Sequence, residues 1–263
     1  MSEPLFTEDD GAFVPGPHTR GPWDPAALHG GAVAALLTDA FERHAAVLEL
    51  SCARLTFDFV RPVPMAPLSL SLDVPRPGRR VVELAAVVAS DGETVCRADA
   101  LFLAAVPSGL PSAQAPLPAP LEGPTAGRRV EFALDESAGP SAPSFPAAME
   151  MSWLDDPAQL GPARVWMRPR RDLLPGRALS PLARVPATAD FANGVAAPLP
   201  FADYLFINAD LALHFLRVPR GEWIGVDAGS HAVDGGTALT ASVLHDVEGP
   251  VAWSYQALVV GPR

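Results

Sequence analysis

The chain has 263 residues, 49% of them apolar, enough for one large domain or two of ordinary size around a substantial core. Its net charge is −11 and all 19 basic residues are arginine, which excludes a Schiff-base or phosphate-loop lysine and argues against nucleic acid, whose phosphates need a basic footprint. The acidic start MSEPLFTEDDG lacks the blocks of a secretory signal, and no stretch is apolar for the roughly eighteen residues of a membrane span, so a cytoplasmic, membrane-free protein is expected.

In chain order, the first element is LHGGAVAALLTDAFERHA (28 to 45), where Val33, Leu36, Leu37, Ala40 and Phe41 recur at i, i+3, i+4, i+7 and i+8 and predict an amphipathic helix. Four strands are expected next, at 52 to 61, 68 to 74, 80 to 89 and 94 to 104. Cys52 and Cys96 fall in these apolar runs, away from any C-x-x-C spacing, and read as buried thiols. Residues 105 to 146 turn rich in Pro, Ala, Ser and Gly, with one strand-like patch at RRVEFAL, and read as a linker. Beyond it, DFANGVAAPLPFADYL predicts a helix of about two turns starting at Asp190 and broken by Pro198 and Pro200. Strands follow at LALHFLRVP, EWIGVDAG, GTALTASVLHD and VAWSYQALVV.

The two sides of the linker are related. LTFDFVRPV overlies LALHFLRVP at a shift of 211 − 55 = 156, and DGETVCRADALFL overlies EGPVAWSYQALVV at 249 − 92 = 157. Near-agreement of two distant blocks points to a duplicated unit of helix plus hairpin-linked strands, an α+β chain with units at 1–104 and 147–263. The 157 shift sets Val33 opposite Asp190 and Asp99 opposite Gln256, which suggests one active and one degenerate site.

The helix opening HGG, the FVRPV strand, ATADFANG and the closing VAWSYQALVV, in this order and in duplicate, resemble the double-hotdog acyl-CoA thioesterases of type II. The resemblance implies two tandem hotdog units, each an antiparallel sheet wrapped around a central helix. It also implies hydrolysis of acyl-CoA or acyl-carrier thioesters in fatty acid metabolism, with no cofactor. In that family an Asp, a Ser or Thr, and a Gln hold the hydrolytic water. The matching positions here are Asp190, Asn208 and Gln256, with Asn208 departing from the hydroxyl of the pattern. His29, Gly30 and Gly31 become candidate lining of the site, and Arg79 and Arg80 candidate contacts to the coenzyme A phosphates. A homo-oligomer stays open, because hotdog units pair through sheet edges.

The chemistry agrees with elementary requirements. A thioester is already activated, so a positioned water, a base and donors facing the oxyanion suffice. The chain has no G-x-S-x-G elbow, no H-E-x-x-H and no Cys/His zinc spacing, which disfavours a serine hydrolase or a metalloenzyme. Plainer readings stand beside these: Asp190 as a helix cap, Asn208 as a turn residue, Gln256 on a wet edge strand, the glycines as close-packing positions and the arginines as solvated hairpin charges. Two functional alternatives also stand, a non-catalytic acyl-thioester-binding protein and a hotdog enoyl-CoA hydratase or dehydratase using His29.

Overall fold

The computed structural model describes residues 3–44, 47, 49–104, 115–130 and 143–263. A hairpin of β1 (Phe6–Asp9) and β2 (Ala12–Pro15) precedes helix α1 (Gly30–Glu42). His29 occupies the N-cap with extended backbone, and the helix buries Ala32 to Thr38 and Phe41. So wide a buried surface means that α1 is a core helix, enclosed on more than one side. Strands β3 (Ser51–Phe59), β4 (Ser69–Arg76), β5 (Val81–Ser90) and β6 (Glu93–Leu103) follow, within two residues of the expected bounds. Alternation on β5 is strict, every second residue buried, as period two requires of a sheet with one covered face. The β5–β6 turn is Asp91-Gly92, with φ of 49° and 79°, the left-handed pair that a two-residue hairpin needs.

The second half repeats this plan. Strands β7 (Arg128–Arg129), β8 (Met149–Trp153) and β9 (Ala163–Pro169) lead to helix α2 (Pro181–Ala189) and the short α3 (Ala192–Val195). Then come β10 (Tyr204–Asn208), β11 (Asp210–Phe215), β12 (Ile224–Val233), β13 (Thr237–Asp246) and β14 (Gly249–Pro262). The expected helix start at Asp190 is corrected: α2 ends there, with Asp190 as its C-cap. Ser180 and Pro181 are the start signal, Ser180 Oγ accepting from Ala183 N at 2.9 Å and the proline taking a first-turn position where no N–H is required.

All strands except the first hairpin join one antiparallel sheet, ordered β4-β5-β6-β3-β11-β14-β13-β12-β9-β8-β7, with β10 also on β14. The halves meet at β3 and β11, where Leu55 faces Leu213 and Phe57 faces Leu211, all four buried. The helices lie against each other as well: Arg177 pairs with Asp39 at 3.0 Å, and Ser180 Oγ donates to Glu42. β5 and β13 start 156 residues apart (237 − 81), and so do β6 and β14 (249 − 93). That even shift keeps pleat parity, so Gln256 corresponds to Ala100 on the buried face and the pairing with Asp99 is corrected.

The stretch expected to be a linker falls partly on 105–114 and 131–142, outside the described residues. Its residues 115–130 pack on the second unit. Glu122 O accepts from Trp166 Nε1 at 2.6 Å, Pro124 O accepts from Ser152 Oγ at 2.7 Å, and β7 pairs with β8. Among the described residues no helix is long and apolar enough to cross a membrane.

Candidate active site

The site forms where the N-terminus of α1 meets the α2–α3 corner, so it takes residues from both halves. Two glycines allow the approach. A Cβ on Gly31 would lie 2.6 Å from Ala187 O, and one on Gly30 would lie 2.7 Å from the Phe59 ring and 3.0 Å from Asp190 Oδ2. Close packing and site lining, alternatives at the level of sequence, are thus one requirement.

Asp190, 4% exposed, gathers three donors on its two oxygens. Asn208 Nδ2 donates to Oδ1 at 2.5 Å, and Gly31 N donates to Oδ2 at 2.5 Å. His29 Nδ1 lies 2.6 Å from the same Oδ2. This nitrogen is also 3.1 Å from Gly31 N and so is placed to cap the helix as an acceptor. Both roles cannot hold together. The Gly31 amide is already satisfied by the carboxylate at the shorter distance, so Nδ1 carries the proton and donates to Asp190. In the neutral ring this tautomer leaves the lone pair on Nε2. The imidazole is fixed by two aromatic neighbours, Phe145 and Phe191, with centroids 5.0 and 4.4 Å away.

Beside this cluster lies a cavity of about 430 Å³. His29, Asp190 and Asn208, with Asp24, Arg61 and Asn193, form its polar part, and Trp23, Phe59, Val63, Leu205, Ile207 and Val259 much of the apolar remainder. Phe191 and Gly194, from the same ATADFANG segment as Asn193, also reach it. Asn193 is itself held by donating to Phe206 O at 3.2 Å.

Gln256 is fully buried and its amide O and N have no hydrogen-bond partner among the described residues. It is not part of the cavity wall. Period two puts it on the inward face with Leu258, whose cross-strand partner is Asn208, so it is a diagonal neighbour of Asn208 on the face that reaches Asp190. The edge-strand reading is thereby excluded. The opposite Thr240 is already paired with Ser230, at 2.7 Å.

The structure does not bring Arg79 and Arg80 to this cavity. They sit in the exposed β4–β5 hairpin, at the end of the sheet where Val81 faces Leu103 and Leu103 faces Ser51. The cavity is at the other end of β3, beyond Phe59, on the order of 25 Å away at about 3.3 Å per residue. The arginine that lines the cavity, among the described residues, is Arg61. Sequence reasoning also missed Phe145, which is fully buried although it lies in the Pro/Ala-rich stretch. The one aromatic residue of APSFPAA was the signal. Cys52 and Cys96 are free thiols. Burial, and then the charges of Asp58 and Asp190, push Cys96 up to about 12, and burial does the same to Cys52, so neither is a nucleophile. Among the described residues no group of His, Cys, Asp and Glu is arranged to hold a metal ion.

This architecture has solved counterparts of the same hotdog class. A protein with a hot dog fold from Alicyclobacillus acidocaldarius superposes with a TM-score of 0.73 at 19% identity, covering 97% of this chain and 95% of its own. The tesB protein of Mycobacterium avium subs paratuberculosis gives 0.68 at 16%, covering 97% and 96%, and acyl-CoA thioesterase II TesB2 of Mycobacterium marinum 0.61 at 19%, covering 90% of each chain. At such identities these likenesses establish the double-hotdog fold. No curated protein matches the sequence. Family membership comes from the sequence models: residues 19–103 match the acyl-CoA thioesterase N-terminal domain, and residues 111–260 the acyl-CoA thioesterase C-terminal domain. The chain belongs to the acyl-CoA thioesterase family and is a thioester hydrolase.

Proposed function

We propose that the protein hydrolyses acyl-CoA thioesters at the Asp190 cluster, the acyl group lying in the apolar part of the cavity. The observation that carries this reading is the buried carboxylate that binds His29, Gly31 and Asn208 beside that cavity. With Nδ1–H given to Asp190, His29 Nε2 accepts the proton of the attacking water, Asp190 stabilises the imidazolium as it forms, and the imidazolium returns the proton to the thiolate that leaves as the C–S bond breaks. Asp190 thus acts as partner of the base rather than as the base itself, with three donors already on its oxygens and Oδ2 taken by Gly31 and His29. Asn208 and Gly31 hold it in place.

The thioester carbonyl faces the start of α1. Gly31 N–H is committed to Asp190, while Gly30 N–H belongs to the first turn, where a helix supplies no acceptor, and is the oxyanion donor of this scheme. Gln256, outside the cavity wall but diagonal to Asn208, offers its amide to a water held beside Asn208, which would offset the cost, about 1–3 kcal/mol, of leaving it unpaired. Asn208 in place of a hydroxyl is accounted for: its task here is to donate to Asp190, which an amide does as well.

The test is thiol release from a panel of saturated acyl-CoA substrates. Release at a rate well above the blank is expected. Binding without release would overturn the proposal in favour of a carrier or binding protein. Water addition to a 2-enoyl-CoA with no release from the saturated series would favour a hydratase.

A further inference from the structure

Arg61 lies in the cavity wall, and its twin in the other half shows what it is not doing. Under the 156 shift Arg61 corresponds to Arg217, and Ser90 to Asp246 (246 − 156 = 90). Arg217 forms a bidentate pair with Asp246, whose side chain is fully buried, and adds a bond to Gly249 O at 3.2 Å. Asp246 also accepts from the backbone N–H groups of Arg220 and Glu248, at 2.8 and 2.9 Å, so that guanidinium is locked into the fold. In the first half the buried acid is absent. Ser90 donates to Pro67 O at 3.2 Å instead. The Arg61 guanidinium pairs with Glu93, at 2.9 Å, with side chains 58% and 65% exposed, its one ion pair among the described residues. Such an exposed pair contributes little and opens readily for a competing anion. The cavity wall contains no other arginine among the described residues, and a chain of net charge −11 gives phosphate no diffuse attraction. A local guanidinium is what an anionic substrate requires, and its planar fork suits a phosphate.

We propose that Arg61 recognises the phosphate of a phosphopantetheine-type thiol carrier at the mouth of this cavity, and so makes the site selective for phosphorylated over neutral thioesters. The proposal rests on the thioester-hydrolase reading of the Asp190 cluster. It assigns a specificity role to the one member of the duplicated arginine pair that the fold leaves unlocked.

The experiment compares wild type, Arg61→Gln and Arg61→Lys on octanoyl-CoA, octanoyl-4′-phosphopantetheine and octanoyl-pantetheine. The expected result for Arg61→Gln is a roughly tenfold fall in the ratio of kcat/KM for the phosphorylated substrates to that for octanoyl-pantetheine, the scale of one charge-assisted contact, expressed in KM. Arg61→Lys should recover most of that ratio. A fall for both phosphorylated substrates locates the contact at the 4′-phosphate shared with acyl-carrier proteins; a fall for octanoyl-CoA alone locates it at the nucleotide phosphates. An unchanged ratio, or an equal loss on all three substrates, overturns the proposal. Calorimetric binding of coenzyme A and of pantetheine is measured in parallel. If wild type releases no thiol, the catalytic reading falls, yet weaker coenzyme A binding by Arg61→Gln, with pantetheine as reference, still decides the role of Arg61. Equal binding by both proteins, or no binding of coenzyme A, counts against it.

Discussion

In the proposed scheme Asn208 sets the geometry of a reaction that it does not itself perform. Its bond to Asp190 Oδ1 leaves Oδ2 for His29 and Gly31, so the carboxylate plane is fixed by donors on both oxygens. Asn208→Ala removes one of them, a loss of about 1–3 kcal/mol of orienting interaction. The expected outcome is a fall in kcat of about tenfold or more with KM little changed, measured by steady-state thiol release. An unaltered kcat would show that Asp190 is oriented without Asn208. Asp190 and Asn208, proposed from their resemblance to a motif, meet in one hydrogen bond; of HGG, His29 and Gly30 line the cavity and Gly31 donates to Asp190. What could not be read was the division of labour. That depends on His29 Nδ1 being as close to Asp190 Oδ2 as the Gly31 amide is, and 159 to 161 positions of chain separate these partners.

At the scale of elements, the closeness of α1 to α2 governs whether the cluster exists. Gly31→Ala would put a Cβ 2.6 Å from the Ala187 carbonyl, a backbone atom that moves only if α2 moves. The expected cost is about 1–3 kcal/mol, typical of overpacking, seen as a lower Tm in a thermal melt together with lost activity. A variant with unchanged Tm would show that the helices are not in contact there. The strands of the first unit were legible because strict alternation and an Asp-Gly turn are local signals. The second helix was misplaced because Asp190 is a good capping residue by type, while Pro186 inside α2 masked the stronger Ser180-Pro181 start. The β8–β9 hairpin was not foreseen, since Met149–Trp153 follows a Pro/Ala-rich run that obscures its pattern.

At the scale of the molecule, duplication supplied two copies of one frame, and divergence gave them different work. The copy around Arg217 became structural. Burial of Asp246 opposes its ionisation, but the Arg217 guanidinium and the N–H groups of Arg220 and Glu248 outweigh this and hold it below the usual carboxylate range. A folded-state value below the unfolded one means that the stabilisation is present above about pH 4 and is lost as pH falls through the lower folded value. In Tm measured against pH, Asp246→Asn should therefore lower stability at neutral pH and flatten the acid limb. A parallel downward shift of the whole curve would contradict the linkage. The cavity is lined by both copies, and because His29 comes from one half and Asp190 from the other, neither unit alone contains the site.

The most direct measurement is the single-turnover rate of thiol release by Asp190→Asn, compared with wild type on the same acyl-CoA after circular dichroism and Tm have shown both proteins folded. If Asp190 orients the His29 base, the rate falls by about a hundredfold or more, the usual contribution of general base catalysis. A folded Asp190→Asn protein that releases thiol within about threefold of the wild-type rate, well inside that range, would contradict the account.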